Sequence, residues 1–430
     1  MSGVTSGTGT GERRTAMPGP VAAPDPRSPV PASRLKIVHI ITRMILGGAQ
    51  ENTLLSCVGL MGLGHDVLLI TGPTAGPEGE LLGEARRRGV PVEEAPDLVR
   101  PVRPLRDLVA YRALRRRIRE LAPDVVHTHS SKAGVLGRAA ARAAGVPAVI
   151  HTVHGLPFHP FMNPVVARTY ALAERWAARR CDRLVSVAEA MTDQAVAAGV
   201  APRGMFTTIH SGMDVGPFLR ARERREEVRA RLGFGPGDFV VAKLARLFEL
   251  KGHEYLIAAA RGLCAAHPEL RLLFIGDGAL RGELEARARE SGLEGRLKFT
   301  GLVPAADVPD HLGAADLLVH ASLREGLPRA VPQALLAGTP VVAFDVDGAR
   351  EVVRDGQTGL LVPARDSAAL AAAVRRMITD RAFAARTAAA GRELCAGLFP
   401  AEVMVGKLQA LYLEVLEKQR GAAGVRPRPV

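Results

Sequence analysis

LKIVHIIT (Leu35–Thr42), followed by Gly47-Gly48 and a helical stretch towards Met61, is the segment that decides the fold class. A strand with one wet face would alternate apolar and polar residues. A nearly continuous apolar run with β-branched members belongs to a strand covered on both faces, as in a parallel sheet. A strand that ends in glycines and opens a helix is the first half of a βαβ unit. The rhythm continues outward from there. His65–Thr71, Val125–Thr128, Ala148–Val153 and Arg183–Val187 are further short apolar runs, with helical stretches that include Glu78–Arg88 and Leu105–Leu121. It restarts at Phe239–Leu244 and passes through Leu270–Ile275, Leu297–Phe299, Asp316–His320 and Pro340–Phe344. Two doubly wound α/β domains are expected, at residues 34–214 and 215–399. The boundary follows the HSGMD turn (His210–Asp214) and precedes a charged helix at Ala221–Leu232. Open α/β sheets bind ligands at the carboxyl ends of their strands, so two facing sheets make a cleft. A last helix, Ala401–Lys418 within the segment 400–420, is expected to cross back to the first domain. Residues 1–33 and 421–430, rich in Gly, Ser, Thr and Pro or basic and Pro/Gly-rich, read as disordered.

The bulk numbers agree with two domains. The chain has 430 residues, of which 47% are hydrophobic but only 4% aromatic, so the cores must be built from Ala, Val and Leu. Four scattered cysteines (Cys57, Cys181, Cys264, Cys395) form no CxxC pair and fit a reducing, cytoplasmic setting. No run reaches the roughly 18 apolar residues of a membrane-spanning helix, and residues 1–33 lack the apolar segment of a signal peptide. A net charge of +13 points to an anionic partner: nucleic acid, a membrane surface or an anionic substrate.

Several loops carry residues suited to an anionic ligand. Gly47-Gly48-Ala49-Gln50 follows the first strand, where glycines let the backbone approach a ligand and helix N-terminal amides favour anions; a tight strand-to-helix turn is the other reading. Gly276-Asp277-Gly278 repeats that arrangement after Leu270–Ile275. Neither is GxGxxG, since Gly282 comes one position late, and no GxxxxGK[ST] occurs. Arg246 and Lys251 flank a short loop after Phe239–Leu244. An Arg fork and a Lys point charge at a strand's carboxyl end suit a diphosphate, or are two solvated surface cations. Glu325-Gly326-Leu327-Pro328 follows Asp316–His320 and leads into a helix at Arg329–Ala337, with Gln333 about one turn in. Its carboxylate can accept sugar hydroxyls and its glycine can free backbone amides. His127, His129, His151, His154 and His159 are crowded, and a two-His metal site is one reading; without nearby Cys, histidines lining a cleft at strand ends are the preferred one. Asp345-Val346-Asp347 spells DxD, read here as a loop near the site that requires no metal.

Together these pieces resemble the group 1 (family 4) retaining glycosyltransferases, which have the GT-B fold of two Rossmann-like domains facing across a cleft. The resemblance runs from Leu35 to about Lys418 and is strongest at SLREGLPRAVPQALLAGTPVVAFDVDGAREVV (Ser322–Val353). ARLFELKGHEYLI (Ala245–Ile257), FIGDGALRGELE (Phe274–Glu285) and IHSGMDVGPF (Ile209–Phe218) stand in family order. The resemblance implies a catalytic set of His154, Glu325, Arg246 and Lys251. Arg246 and Lys251 match the pair that binds the donor diphosphate, Glu325 the acid that contacts the transferred sugar, and His154 the first-domain histidine beside that sugar. Gly326 and Leu327 match the loop whose amides approach sugar and phosphate. Gly47, Gly48, Gly276 and Gly278 match turns near the donor. Gln333 stands where the family's second Glu usually holds the ribose; Gln lacks a charged two-oxygen acceptor there. No metal cofactor is expected, and the nucleotide-sugar is a substrate.

What the resemblance implies is same-face transfer from a nucleotide-sugar, UDP-sugars favoured, to a glycan or lipid-linked acceptor in envelope, exopolysaccharide or glycolipid synthesis. A non-hydrolysing nucleotide-sugar epimerase and a lapsed nucleotide-sugar-binding protein are the alternatives. Arg112, Arg115, Arg116, Arg117 and Arg119 in one helix and Arg86–Arg88 in another give a basic face, either merely solvated or docked on anionic lipid at the cytoplasmic face of the membrane. Scarce aromatics and the lack of a reader motif argue against nucleic acid.

Overall fold

The computed structural model describes residues 34–74, 80–159 and 161–423. The stretches 1–33 and 424–430, expected to be disordered, lie outside the described residues. Two all-parallel sheets carry the chain. The first comprises β1 (Lys36–Ile41), β2 (Asp66–Thr71), β3 (Val92–Glu94), β4 (Val125–His129), β5 (Ala148–Val153), β6 (Arg183–Ser186) and β7 (Phe206–Thr208), in the order β3-β2-β1-β4-β5-β6-β7. The second comprises β8 (Phe239–Leu244), β9 (Leu270–Ile275), β10 (Leu297–Phe299), β11 (Leu317–His320), β12 (Val341–Phe344) and β13 (Leu360–Val362), in the order β10-β9-β8-β11-β12-β13. β1 and β5 are buried at nearly every position, as their unbroken apolar runs require.

Strand order reverses once in each sheet, between β1 and β4 and between β8 and β11. At such a point the loops leaving the two neighbouring strands diverge to opposite faces and leave a crevice. In the first domain the crevice is framed by Gly47 and Ser130; in the second, by the Arg246–Lys251 and Glu325 loops.

Seven helices position the rest. α1 (Gly48–Gly62), α2 (Pro104–Leu121) and α3 (Ser131–Ala144) cover the first sheet, and α4 (Pro164–Ala178) packs against α3. A buried ion pair, Arg138 Nη2 to Glu174 Oε2 at 2.7 Å, ties α3 to α4. In the second domain, α5 (His253–Ala266) follows the Lys251 loop, and α6 (Ala330–Leu336) follows Pro328. The final helix, α7 (Ala401–Ala423), returns to the first domain and packs on α1. Met404, Val405, Leu408, Leu411, Tyr412, Val415 and Leu416 are all buried there. Each buried aliphatic among them contributes about 2 kcal/mol to holding the helix down.

The structure moves several expected boundaries. The charged helix expected at Ala221–Leu232 is helical only over Arg225–Arg231, and that at Glu78–Arg88 only over Leu82–Arg87, with residues 78–79 outside the described ones. α7 continues to Ala423, past the tail boundary expected at 421. The four cysteines are unpaired and buried.

Gly252 illustrates why the second crevice has its shape. It caps α5 with φ 66°, and a Cβ there would overlap the carbonyl oxygen of Ala321, the residue that follows β11. Only glycine lets the Lys251 loop lie this close to the Glu325 loop. Gly252→Ala is expected to destabilise the protein by about 3 kcal/mol or more, read as a lowered denaturation midpoint.

Candidate active site

The two crevices face one another and are joined by side chains. Lys251 Nζ donates to Glu325 Oε1 at 2.7 Å, with the two side chains 24% and 18% exposed. Burial pushes the Glu325 carboxyl up, but the neighbouring His320 and the Lys251 ammonium outweigh it and hold the group well below the usual carboxylate range. His320 Nε2 lies 3.5 Å from the same oxygen, too long for a good hydrogen bond, and burial keeps its ring neutral at ordinary pH. We therefore assign the larger share of Glu325's ionisation to Lys251.

The Glu325 loop is held from below by Asp347. Asp347 Oδ2 accepts from the Glu325 backbone N–H at 2.6 Å, and Oδ1 accepts from Gln194 Nε2 of the first domain at 2.6 Å. Asp347 sits at φ 46°, a left-handed conformation that short Asp side chains tolerate. The DxD segment thus orders the loop and braces it against the other domain. Gly326 packs with its Cα towards first-domain atoms: a Cβ would come 2.9 Å from the His154 carbonyl oxygen.

Arg246 is positioned by the glycine turn after β9. Leu247 N–H donates to the Asp277 carbonyl at 2.9 Å, and Leu280 N–H to the Leu247 carbonyl at 3.0 Å. Gly276, at φ 135°, and Gly278 lie so close to this loop that a Cβ on either would overlap the Ala245 or Leu247 carbonyl. These glycines bring the Arg246 loop against the turn. The Arg246 guanidinium lies over the Phe248 ring, 5.1 Å from its centre.

Two cavities mark the cleft. One, of about 220 Å³, is lined by Gly155, Leu156, Met191, Lys251, Glu325 and Gly326 among others. The second, about 490 Å³, includes Ala49, Ser130, His154, Gly155, Leu156 and Arg246. Gly155 and Leu156 border both, so the cavities adjoin. The structure therefore brings together His154, Arg246, Lys251, Glu325 and Gly326. Gly48 opens α1 at the domain interface, where a Cβ would come 2.6 Å from Arg329 Cδ. Arg329 Nη2 donates to Glu51 Oε2 in the first turn of α1 at 2.6 Å. Gly47 precedes it, Leu327 is buried, and Gln333 is half-buried on α6 with its backbone bonded to the Arg329 carbonyl.

The histidines differ from the sequence expectation. His154 is half-buried at the cleft, but His127, His129 and His151 are 0%, 0% and 3% exposed, inside the sheet beneath it. Nitrogens of His39, His127 and His129 lie within 4.8 Å of one another, a metal-like spacing. Yet His127 Nδ1 meets Tyr412 Oη at 2.5 Å, and its Nε2 meets Thr152 Oγ1 at 2.7 Å. Its nitrogens are engaged, so the cluster reads as a hydrogen-bonded array.

Sequence reasoning passed over the residues that join the domains. Besides Arg329–Glu51 and Gln194–Asp347, Glu351 accepts from the Ala190 backbone N–H at 3.1 Å and meets His210 Nε2 at 3.0 Å, and Arg324 donates to the Leu156 carbonyl. Their only signal was position: Arg324 and Arg329 bracket the EGLP loop.

Comparison with known proteins decides the family. The family described as "Glycosyl transferases group 1" matches residues 224–394, and the "Glycosyl transferase 4-like domain" matches 47–212. A putative glycosyltransferase, EpsD of Bacillus subtilis, is 33% identical over 280 residues, 66% of this chain and 71% of its own. The chain is a group 1 glycosyltransferase. This glycosyltransferase is also 28% identical over 387 residues, 89% of its length and 98% of the other's, to the UDP-Gal:alpha-D-GlcNAc-diphosphoundecaprenol alpha-1,3-galactosyltransferase of Escherichia coli. Among solved structures, Anabaena HepE in complex with UDP superposes with a TM-score of 0.77 at 23% identity, covering 88% of this chain and all of HepE. The lipopolysaccharide glycosyltransferase WaaG superposes at 0.68 with 18% identity, covering 87% and 99%. Both likenesses are of fold, and the fold is GT-B.

Proposed function

We propose that this glycosyltransferase moves a sugar from a UDP-sugar to a lipid-linked or glycan acceptor, with retention at the anomeric carbon. The observation that carries the reading is the Lys251–Glu325 pair at the second domain's switch point, facing His154 and Gly155 of the first. Lys251 and Arg246 supply positive charge where a departing diphosphate would gather negative charge. Glu325, held ionised, accepts hydroxyls of the transferred sugar and stabilises positive charge at its ring. A phosphate oxygen of the leaving group takes the acceptor's proton, so no enzymic nucleophile and no metal are needed. The E. coli relative's name specifies a UDP-Gal donor and an alpha-D-GlcNAc-diphosphoundecaprenol acceptor, and HepE was solved with UDP and with UDP-glucose; these support the donor and acceptor classes. A panel of UDP-, GDP- and ADP-sugars, read by thermal shift and by slow donor hydrolysis, tests it. UDP-sugars are expected to raise the melting temperature most. Stabilisation by GDP- or ADP-sugars alone would overturn the donor assignment, and conversion to an epimer without acceptor would overturn transfer.

The acceptor's route bears on the basic face. Arg86 and Arg87 pair with Glu94 and Glu84, and Arg117 with Glu93 and Glu120, so much of the expected cationic face is neutralised internally. The exposed feature is apolar instead. Val102, Leu105 and Val109 at the start of α2 are 75%, 84% and 50% exposed, and Val165, Leu172 and Trp176 on α4 are 74%, 55% and 44% exposed. Arg103, Arg112, Arg168, Arg175 and Arg179 stand exposed among them. Both helices start at the carboxyl ends of the strands, beside the cleft. Apolar side chains rimmed by arginine suit an anionic lipid surface that presents a lipid-linked acceptor. Co-sedimentation with anionic but not neutral vesicles is expected, and Val165→Glu with Leu172→Glu should abolish it while sparing donor hydrolysis. No helix among the described residues is long and apolar enough to cross a membrane.

A further inference from the structure

His154 does not stand alone. Its Nε2 lies 3.1 Å from His129 Nδ1, and His129 Nε2 lies 2.9 Å from His39 Nδ1. The rings stack in file, with centroids 5.3 and 5.2 Å apart. The file runs from the cleft into the sheet, where His39 on β1 and His129 on β4 are fully buried. It ends at His39 Nε2, which is buried with no partner among the described residues. Burial holds all three rings neutral: His39 and His154 are pushed down to about 3, His154 also by the charge of Arg329, and His129 lies well below its usual value.

A neutral imidazole has one N–H, so the file has two arrangements. In the first, His154 Nε2 donates to His129, His129 Nε2 donates to His39, and His39 Nε2–H is left as a buried donor with nothing to receive it. In the second, His39 Nδ1 donates to His129 Nε2, and His129 Nδ1 donates to His154 Nε2. The unmatched group is then only a lone pair on His39. Orphaned buried N–H groups are rarer than under-used acceptors, so the second arrangement is the stable one.

We propose that His39 and His129 are positioning residues that fix His154 with its proton on Nδ1, so that it offers the sugar a hydrogen-bond donor and not an acceptor. The file passes no charge; it sets a direction. The sugar atom opposite His154 must then carry a lone pair, as a hydroxyl or carboxylate oxygen does and a protonated amine does not. This consequence rests on the proposed transferase reading, with His154 beside the transferred sugar as the family resemblance implies.

The test is the tautomer itself. In protein labelled with 15N-histidine, with the His154 signals assigned by comparison with H154Q, a pyrrole-type resonance is expected at Nδ1 and a pyridine-type resonance at Nε2. The opposite pattern overturns the proposal. Two isosteric variants add a functional reading. In H129N the amide nitrogen can take the place of His129 Nδ1 and donate to His154 Nε2, so the tautomer is expected to be kept and kcat/KM for donor to stay within about threefold of wild type. In H129D the new carboxylate can only accept, which forces the proton onto Nε2 of His154 and lowers kcat/KM by roughly tenfold or more. Equal activity of the two variants, with the flip seen, would overturn the functional half. If H129D fails to fold, the wild-type spectrum still decides the tautomer. H154A separates the two claims: full transfer by that variant would remove the sugar contact while leaving the tautomer to be judged by the spectrum.

Discussion

Lys251→Ala is expected to lower kcat for sugar transfer roughly a thousandfold, the scale seen when one preorganised charge-stabilising group is removed from a transition state. In the structure Lys251 Nζ is paired with Glu325 at 2.7 Å and borders the cleft cavity. A departing diphosphate competes for the same ammonium, and Arg246 remains as the second cation. Partly exposed ion pairs contribute little to folding, about 1 kcal/mol or less, so the melting temperature should move by only a few degrees. The variant also changes what Glu325 is. Burial acts to raise the Glu325 carboxyl, and His320 and Lys251 overcome it. Without Lys251 the opposing influence shrinks, the carboxyl moves up, and its ionised form disappears at higher pH. The acid limb of the residual pH–rate profile should therefore shift towards neutrality. Activity within tenfold of wild type, or an unmoved acid limb, would remove Lys251 from this role.

How far the fold could be read depended on the strands' surroundings. β5, β8 and β9 begin and end where the apolar runs Ala148–Val153, Phe239–Leu244 and Leu270–Ile275 do, because they lie inside their sheets and burial dictates every residue. β3, β7 and β13 were not foreseen. Each is three residues long at a sheet edge, and VEE and FTT carry no buried pattern because pairing there is by backbone alone. The site divides in the same way. Arg246, Lys251 and Glu325 follow strands that were legible; their spacing left two readings open, and the roles proposed for them came from the resemblance of the segments around them. The supports were not legible. Asp347 acts through a left-handed turn, and Gln194, Glu51 and Glu351 act across the domain interface, which no local pattern encodes. His127 and His129, two residues apart on β4, share a strand face. Whether that face looks into the cleft or into the core is decided by α7, whose Tyr412 covers His127.

Acidification from pH 7 to 5 is expected to unfold the first domain ahead of the second. His39, His127, His129 and His151 are all buried in the first sheet, and burial keeps each neutral, His39 at about 3 and the others well below the usual 6.5. In the unfolded chain each titrates near its free value of about 6.5, so below that pH the unfolded state binds more protons and stability falls. The contribution is whole above about pH 6.5 and is lost progressively as pH falls towards the folded values. At pH 5 the loss is about 2 kcal/mol per ring, so four rings together cost about 8 kcal/mol, as much as many domains possess. The second domain carries fewer such rings, His253 and His320. Trp176, the single tryptophan, lies on α4 of the first domain against Arg180, so its fluorescence reports that domain selectively. Its thermal midpoint should drop steeply between pH 6.5 and 5 while calorimetry still shows the second domain melting. A midpoint that stays level across this range would mean that protons reach these rings without unfolding. The histidine file would then be open to solvent, and its control of the His154 tautomer would be lost with it.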